Sequence, residues 1–212
     1  VTNNNKITWT TDDAKLYAEI TRFVTSTNLR SKKNYEKFKE MVDIQSLIDF
    51  YAIQVYVNNY DFSYKKNTVL WRSRSKNGTG YNDGKWRWML YEMDMVAIDR
   101  KRQDTSGNVE NYDYTFNPFT GRFLWATDLK DDIVINNLIK NEEFKEQFVT
   151  TFMDIANENL NKDRVIDLLK SKHNIYSGDM FNFFSHRLET IPGYLKEYAS
   201  LEGDLKRIII NS

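Results

Sequence analysis

Apolar residues recur at helical spacing along most of this chain. Leu16, Ile20, Phe23 and Val24 share one face of a run that starts at Thr11 or Asp12 and continues to about Thr27, with Asp12 and Asp13 favouring its start through the helix dipole. A second, shorter helix is expected over residues 31–41. Asp43 then caps a longer run to Asn58, in which Ile44, Leu47, Ile48, Tyr51 and Val55 fall near helical spacing. From Leu124 onward the rhythm returns. Helices are expected over 131–140, 142–157, 162–172 (opened by Asn161 or Asp163) and from Gly178 or Asp179 to about Leu201, where Gly203 stops the last one. Only two prolines, Pro118 and Pro192, interrupt the chain, which favours a helix-rich architecture.

Two stretches keep a different rhythm. Thr68-Val-Leu-Trp71 and the run from Lys85 to Tyr91 are rich in aromatic and branched residues, and the Gly/Asn/Asp-rich segment from Lys76 to Gly84 separates them. This predicts a β-hairpin over about residues 67–91 with a generous loop. Residues 99–121 are polar, contain glycine and show no sustained periodicity, so they are expected to form a long functional loop or lid. The run from Asp204 to Ile210 reads as a strand or the start of a linker. The expected fold class is α+β, predominantly helical: residues 1–10 connect, 11–202 form one lobe carrying the hairpin, and 203–212 lead towards a further domain.

Composition narrows the function classes. At 212 residues one core of ordinary size is expected, burying roughly 70% of the unfolded surface. Lys plus Arg equals Asp plus Glu at 30 each, so no global field draws the chain to nucleic acid or to an anionic membrane. The absence of cysteine removes disulfides, thiolate nucleophiles and thiolate zinc sites together. No run approaches the length of a membrane span, and the first residues do not form a signal peptide. His173 and His186 lie in different expected helices, and Ser185 and His186, as helical neighbours, point about 100° apart, which speaks against a triad.

The chemistry converges on the hairpin. Asp61 follows the end of the long helix, Asn67 opens the first strand, and Glu92 and Asp94 follow the second. In a strand that persists that far, Glu92 and Asp94 share one face because side chains alternate with period two. Acids and an amide at the ends of adjacent elements are how a divalent cation and a phosphate group are commonly held. The alternative from the residues alone is structural: Asp61 and Asn67 as turn residues, with Glu92 and Asp94 paired to Arg87, Arg100 or Lys101. Other constellations are weaker. The glycines at 78, 80 and 84 precede a strand rather than a helix, unlike a phosphate loop, and Asn157-x-Asn159-x-Asn161 lacks the glycine and the closing glutamate of a calcium loop.

The stretch Asn59-Tyr-Asp61, Asn67 opening an aromatic strand, and the aromatic-Glu92-x-Asp94 ending of the next strand together resemble the CotH (spore coat protein H) kinase-like family. Asp43-Ile-Gln-Ser-Leu-Ile-Asp-Phe-Tyr51 is similar to that family's helix start, and Phe184-Ser-His-Arg187 to its late helix bearing an arginine. The resemblance covers about residues 10–202 and is most specific over 43–96. Two departures are visible: Glu92 stands where the family has Asp, and Ala97-Ile98 where a small residue or glycine is usual. The family's nucleotide-covering half, with its Leu-Arg-Gly-Asn-Ser-like motif and phosphate-binding lysine, has no counterpart in these residues. The expectation is a kinase-like C-terminal lobe, incomplete as given.

The resemblance implies phosphoryl transfer from ATP, with Mg²⁺ or Mn²⁺, to Ser or Thr of a protein such as a coat or surface protein. Asp61 would serve as base or metal ligand, Asn67 and Asp94 as ligands with Glu92 assisting, and Trp71 and Arg187 as nucleotide contacts. Arg187 alternatively buttresses the core through a buried carboxylate. A bacterial, secreted, cell-surface or spore-surface setting and further domains of the same polypeptide follow from the same resemblance. Two rivals stand beside it: a noncatalytic pseudokinase or interaction module, and a carbohydrate-active or carbohydrate-binding domain with Asp61 and Asp94 flanking a sugar stacked on Trp71, Trp86 or Trp88.

Overall fold

The computed structural model describes residues 2–3, 6–7, 11–62, 67–74, 76–103, 107, 109–121, 129–172, 178–203 and 205. Strands β1 (Thr2–Asn3) and β2 (Lys6–Ile7) form a minimal antiparallel ladder ahead of helices α1 (Thr11–Ser26), α2 (Lys32–Met41) and α3 (Ile44–Tyr56). The hairpin β3 (Val69–Trp71) and β4 (Arg87–Met89) follows, then a second hairpin, β5 (Arg100–Gln103) and β6 (Val109–Tyr112). A 3₁₀ turn at Leu129–Asp131 leads into α4 (Ile133–Leu138), α5 (Glu142–Asp154), α6 (Lys162–Ser171), α7 (Gly178–His186) and α8 (Ile191–Tyr198). The protein is predominantly helical α+β. The three small sheets among the described residues are each a two-stranded antiparallel ladder.

Helix α3 is buried on nearly every side. Ile44, Leu47, Ile48, Phe50, Tyr51, Ala52, Val55 and Tyr56 are all inside, the pattern of a helix enclosed by other elements rather than one lying on a surface. Along it runs α5, whose Phe144, Phe148 and Phe152 form an inward stripe at i, i+4 and i+8. Tyr56 meets Phe152 edge-on at 6.2 Å. Helix starts are fixed by side-chain caps that satisfy otherwise orphaned amides. Asp43 accepts from Ser46 N, Asp132 from Val134 N, Asn141 from Phe144 N, and Asn161 from both Asp163 N and Arg164 N.

Three expectations change. Residues 99–121 are not a featureless loop, because β5 and β6 pair in register from Arg100↔Tyr112 to Gln103↔Val109. Their charged and polar composition hides the alternation by which strands are usually recognised. The last helix is not continuous from 178 to 201. It breaks at a 3₁₀ turn over Arg187–Glu189 and restarts with Pro192 in the first turn of α8, where the missing N–H of proline costs nothing. Helix α5 gives way at Ile155–Asn159 to a π-turn. The expected strand or linker at 204–210, apart from Leu205, and His173 lie outside the described residues.

Candidate functional site

The hairpin is clamped to the amino end of α3. Trp86 N donates to Met41 O at 2.9 Å and Asp43 N to Trp86 O at 3.0 Å, while Ser46 Oγ donates to Trp88 O and accepts from Trp88 N, both at 3.0 Å. Arg87 completes the joint. Its guanidinium binds Asp43 Oδ2 at 2.9 Å and takes Asp83 in a two-pronged pair at 3.0 and 2.6 Å. Hydrogen bonding to Arg87 holds the Asp83 carboxyl down to about 2. Arg87 is therefore committed to Asp43 and Asp83, which removes one of the three cations that the structural alternative offered to Glu92 and Asp94.

At the carboxyl end of α3 the chain turns sharply. Asn58 takes φ +50° and is fully buried. Buried Asn59 then works in two directions: its Oδ1 accepts from Asp61 N at 3.1 Å, and its Nδ2 donates to Glu92 O at 3.0 Å. The backbones reinforce the link, with Tyr60 N donating to Met95 O at 2.9 Å and Ala97 N to Val57 O at 2.8 Å. Asn67 closes the turn from the other side. Its Nδ2 donates to Asp61 Oδ2 at 2.9 Å and Asp61 O at 3.1 Å. Asp61 and Asn67 are thus in direct contact, and the segment bearing Glu92 and Asp94 is docked alongside them. Asn59 is the organising residue that a list of acids misses; its signal was an amide two residues before Asp61, just past a helix end.

This segment also concentrates unusual backbone. Of the five non-glycine residues with positive φ among the described residues, Asn58, Asn67, Glu92 and Ala97 belong to it, and Ser200 lies elsewhere. Such conformations cost on the order of 1 kcal/mol each and persist where the surroundings fix them, often at functional sites. The expected alternation of Glu92 and Asp94 on one strand face does not hold. Strand β4 ends at Met89, Glu92 has φ +51°, and Asp94 sits in a turn. Both side chains are exposed. Glu92 hydrogen-bonds Tyr91, which pushes the Tyr91 hydroxyl upward.

The two expected nucleotide contacts lie in different settings. Trp71 is 38% exposed, edge-on to Tyr81 at 5.7 Å, and stands over Arg87 in an open groove of about 370 Å³ that also takes in Asp49 and Leu90. Trp86 and Trp88 are buried, which leaves Trp71 as the accessible ring of the three named for sugar stacking. Arg187 is 0% exposed. It donates to four main-chain carbonyls: Val55 O at 3.2 Å, Tyr56 O at 3.1 Å, Tyr114 O at 2.7 Å and Phe116 O at 2.9 Å. Of its two expected roles this geometry matches the buttress, built on carbonyls rather than a carboxylate. Burial pulls the pKa of its guanidinium down to about 9. Two of those carbonyls are in the last turn of α3, so Arg187 braces the helix end that delivers Asn59 and Asp61.

The donors suit a hard cation. Asp61, Asn67, Glu92 and Asp94 offer oxygen only, the ligand type that Mg²⁺ and Mn²⁺ take. Among the described residues no three acid or imidazole side chains gather into a metal cage. Mg²⁺ at nucleotide sites does not need one, since it is usually held by one or two carboxylates together with waters and phosphates. Asn67 spends its Nδ2 on Asp61, and Oδ1 takes no part in that bond.

Residues 2–187 match the family model described as CotH kinase protein. The chain belongs to that family, and it is a kinase-like protein. The match begins earlier than the expected residue 10 and ends at Arg187, covering the whole segment that bears Asp61, Asn67, Glu92 and Asp94. No curated protein gives a match, and neither does any solved structure.

Proposed function

We propose that this chain is the metal-binding, mostly helical lobe of a CotH-type protein kinase that transfers phosphoryl groups from ATP to Ser or Thr of a protein, such as a coat or surface protein. The observation that carries the reading is the Asp61–Asn67 contact, tied through Asn59 to the segment that presents Glu92 and Asp94. Phosphoryl transfer asks the protein mainly for positioning and for neutralisation of charge. Asp61 is placed to orient or deprotonate the acceptor hydroxyl or to bind the cation. Asn67 and Asp94 are its oxygen ligands, and Glu92 assists. Bound Mg²⁺ or Mn²⁺ neutralises charge on the phosphates of ATP, and Trp71 offers a ring face to the base. Arg187 supports this site from beneath, through the end of α3. A secreted or surface location and further domains of the same polypeptide belong to the same proposal.

A melting measurement tests it. ATP and Mn²⁺ together should raise the melting temperature, while either alone should do so less, because the cation is shared between protein and phosphates. No shift with any combination would contradict the reading. A second reading rests on the exposed Trp71–Tyr81 pair, whose groove suits a sugar ring. A shift produced by oligosaccharide and removed by Trp71→Ala would favour it. Nucleotide binding with no phosphoryl transfer to any acceptor would instead assign the pseudokinase role.

A further inference from the structure

The chain is neutral as a whole, yet its charges are not evenly spread. A cleft of about 1030 Å³ opens where the turn between α1 and α2, the α4–α5 junction and the end of α8 meet. Its lining gathers Arg30, Lys32, Lys130, Lys140 and Lys145 against two acids, Glu142 and Glu143. Both acids are already engaged: Glu142 by Lys145 at 2.9 Å and Glu143 by Lys39 at 2.8 Å. Arg30, Lys32 and Lys140 have no ion pair among the described residues; Lys140 Nζ reaches only Asn137 Oδ1, at 3.4 Å. The amino end of the thirteen-residue α5 points its partial positive charge into the same space. Between the cations lies the half-buried ring of Tyr198, with the nearly covered Ile139 and Ala199 next to it in the lining.

We propose that this cleft docks an acidic peptide segment of a partner protein, with carboxylates on the basic rim and an apolar side chain against the Tyr198 ring. The lining distinguishes this occupant from a compact polyphosphate. The cations come from separate chain segments rather than from one converging nest, two glutamates stand among them, and the Tyr198 ring gives a dense anion nothing to bind. Carboxylates spaced along an extended chain meet the cations and leave the glutamates in water. A cleft of this size is at the upper end of ordinary ligand pockets, which span about 300–1,000 Å³, and suits several residues of peptide. This inference stands apart from the phosphoryl-transfer reading, since it uses none of Asp61, Asn67, Glu92 or Asp94.

The test is fluorescence anisotropy with the full chain and a labelled synthetic peptide in which glutamates flank a central leucine. Binding is expected. It should weaken about tenfold or more in the K32E/K140E double variant, because each reversal removes one attraction and adds one repulsion. It should also fall when ionic strength rises from about 0.1 to about 1 M, as the Debye length shrinks from about 10 to about 3 Å. Should the double variant fail the melting control for folding, Arg30→Glu serves in its place. Three results would overturn the proposal: no binding of the acidic peptide, equal binding to the charge-reversed variants, or displacement by inorganic tripolyphosphate at far lower concentration than by unlabelled peptide. The last would assign the cleft to a compact anion.

Discussion

The two ends of α3 carry polar networks of opposite character. At the amino end every strong group is spent on the fold: Asp43 caps the helix and holds Arg87, Arg87 holds Asp83, and Ser46 both donates to and accepts from Trp88. At the carboxyl end groups are left over. Gln54 and Asn58, one turn apart and fully buried, have all four amide side-chain atoms without a hydrogen-bond partner among the described residues. Glu92 and Asp94 stand exposed, and four residues hold positive φ. A network that closes on itself is an anchor. One that leaves acids exposed beside strained backbone is poised to bind something. Arg187 makes this possible by bracing the strained end from inside the core.

That contrast can be broken by mutation, most severely at the brace. Arg187→Met should cost about 4 kcal/mol or more, since it strands four buried carbonyls whose donors it supplied. Urea unfolding measures it, and a loss below about 1 kcal/mol would mean the carbonyls find other donors. Arg87→Met at the anchor should cost less, about 1–2 kcal/mol, because Asp43 and Asp83 are partly exposed and regain water. It should leave metal binding at the other end of α3 intact, which is the sharper readout.

A smaller effect is set by pH. Asp132 is almost wholly buried at the start of α4, where it accepts from Val134 N and from the Tyr51 hydroxyl. Burial raises its carboxyl from 3.8 to about 6. Between these values the folded state holds a proton that the unfolded chain has released. Stability from this group is therefore present at low pH and lost as pH rises through about 6. Asp132→Asn keeps a capping oxygen and has no charge to bury. Its unfolding free energy should lack this decline, and wild type and variant should differ more at pH 8 than at pH 4. An equal difference at both values would contradict the assignment. Smaller still, Gln54→Met should be neutral or stabilising by up to about 1 kcal/mol, because it removes an amide with no partner in the core. A clear loss of stability would reveal that the amide is satisfied, for instance by an internal water.

Much of this arrangement is legible in the sequence, and the failures have physical causes. Asp43 and Asn161 announce their helices because capping chemistry is local, and the Gly/Asn/Asp tract announces the β3–β4 hairpin for the same reason. Asp61 and Asn67 are legible as neighbours because they stand six positions apart in the sequence, between one helix end and one strand start. The β5–β6 hairpin is not, since Arg-Lys-Arg-Gln against Val-Glu-Asn-Tyr carries no apolar alternation. The orientation of Glu92 and Asp94 is also hidden: a positive φ at a glutamate has no residue signature, so the strand seems to run on past Met89. Arg187 reads as a nucleotide contact or a core buttress, but its partners are hidden, because nothing local reveals that four carbonyls from two distant segments converge on it.

The central claim is that the loose end of α3 binds a divalent cation through Asp61 and Asp94. Titration calorimetry with Mn²⁺ in the presence of ATP, on wild type, Asp61→Ala and Asp94→Ala, tests it most directly. The account predicts binding by wild type, its loss in both variants, and melting temperatures close to wild type, because neither acid packs in the core. Unchanged Mn²⁺ binding in the two variants, or none in the wild type, would contradict it.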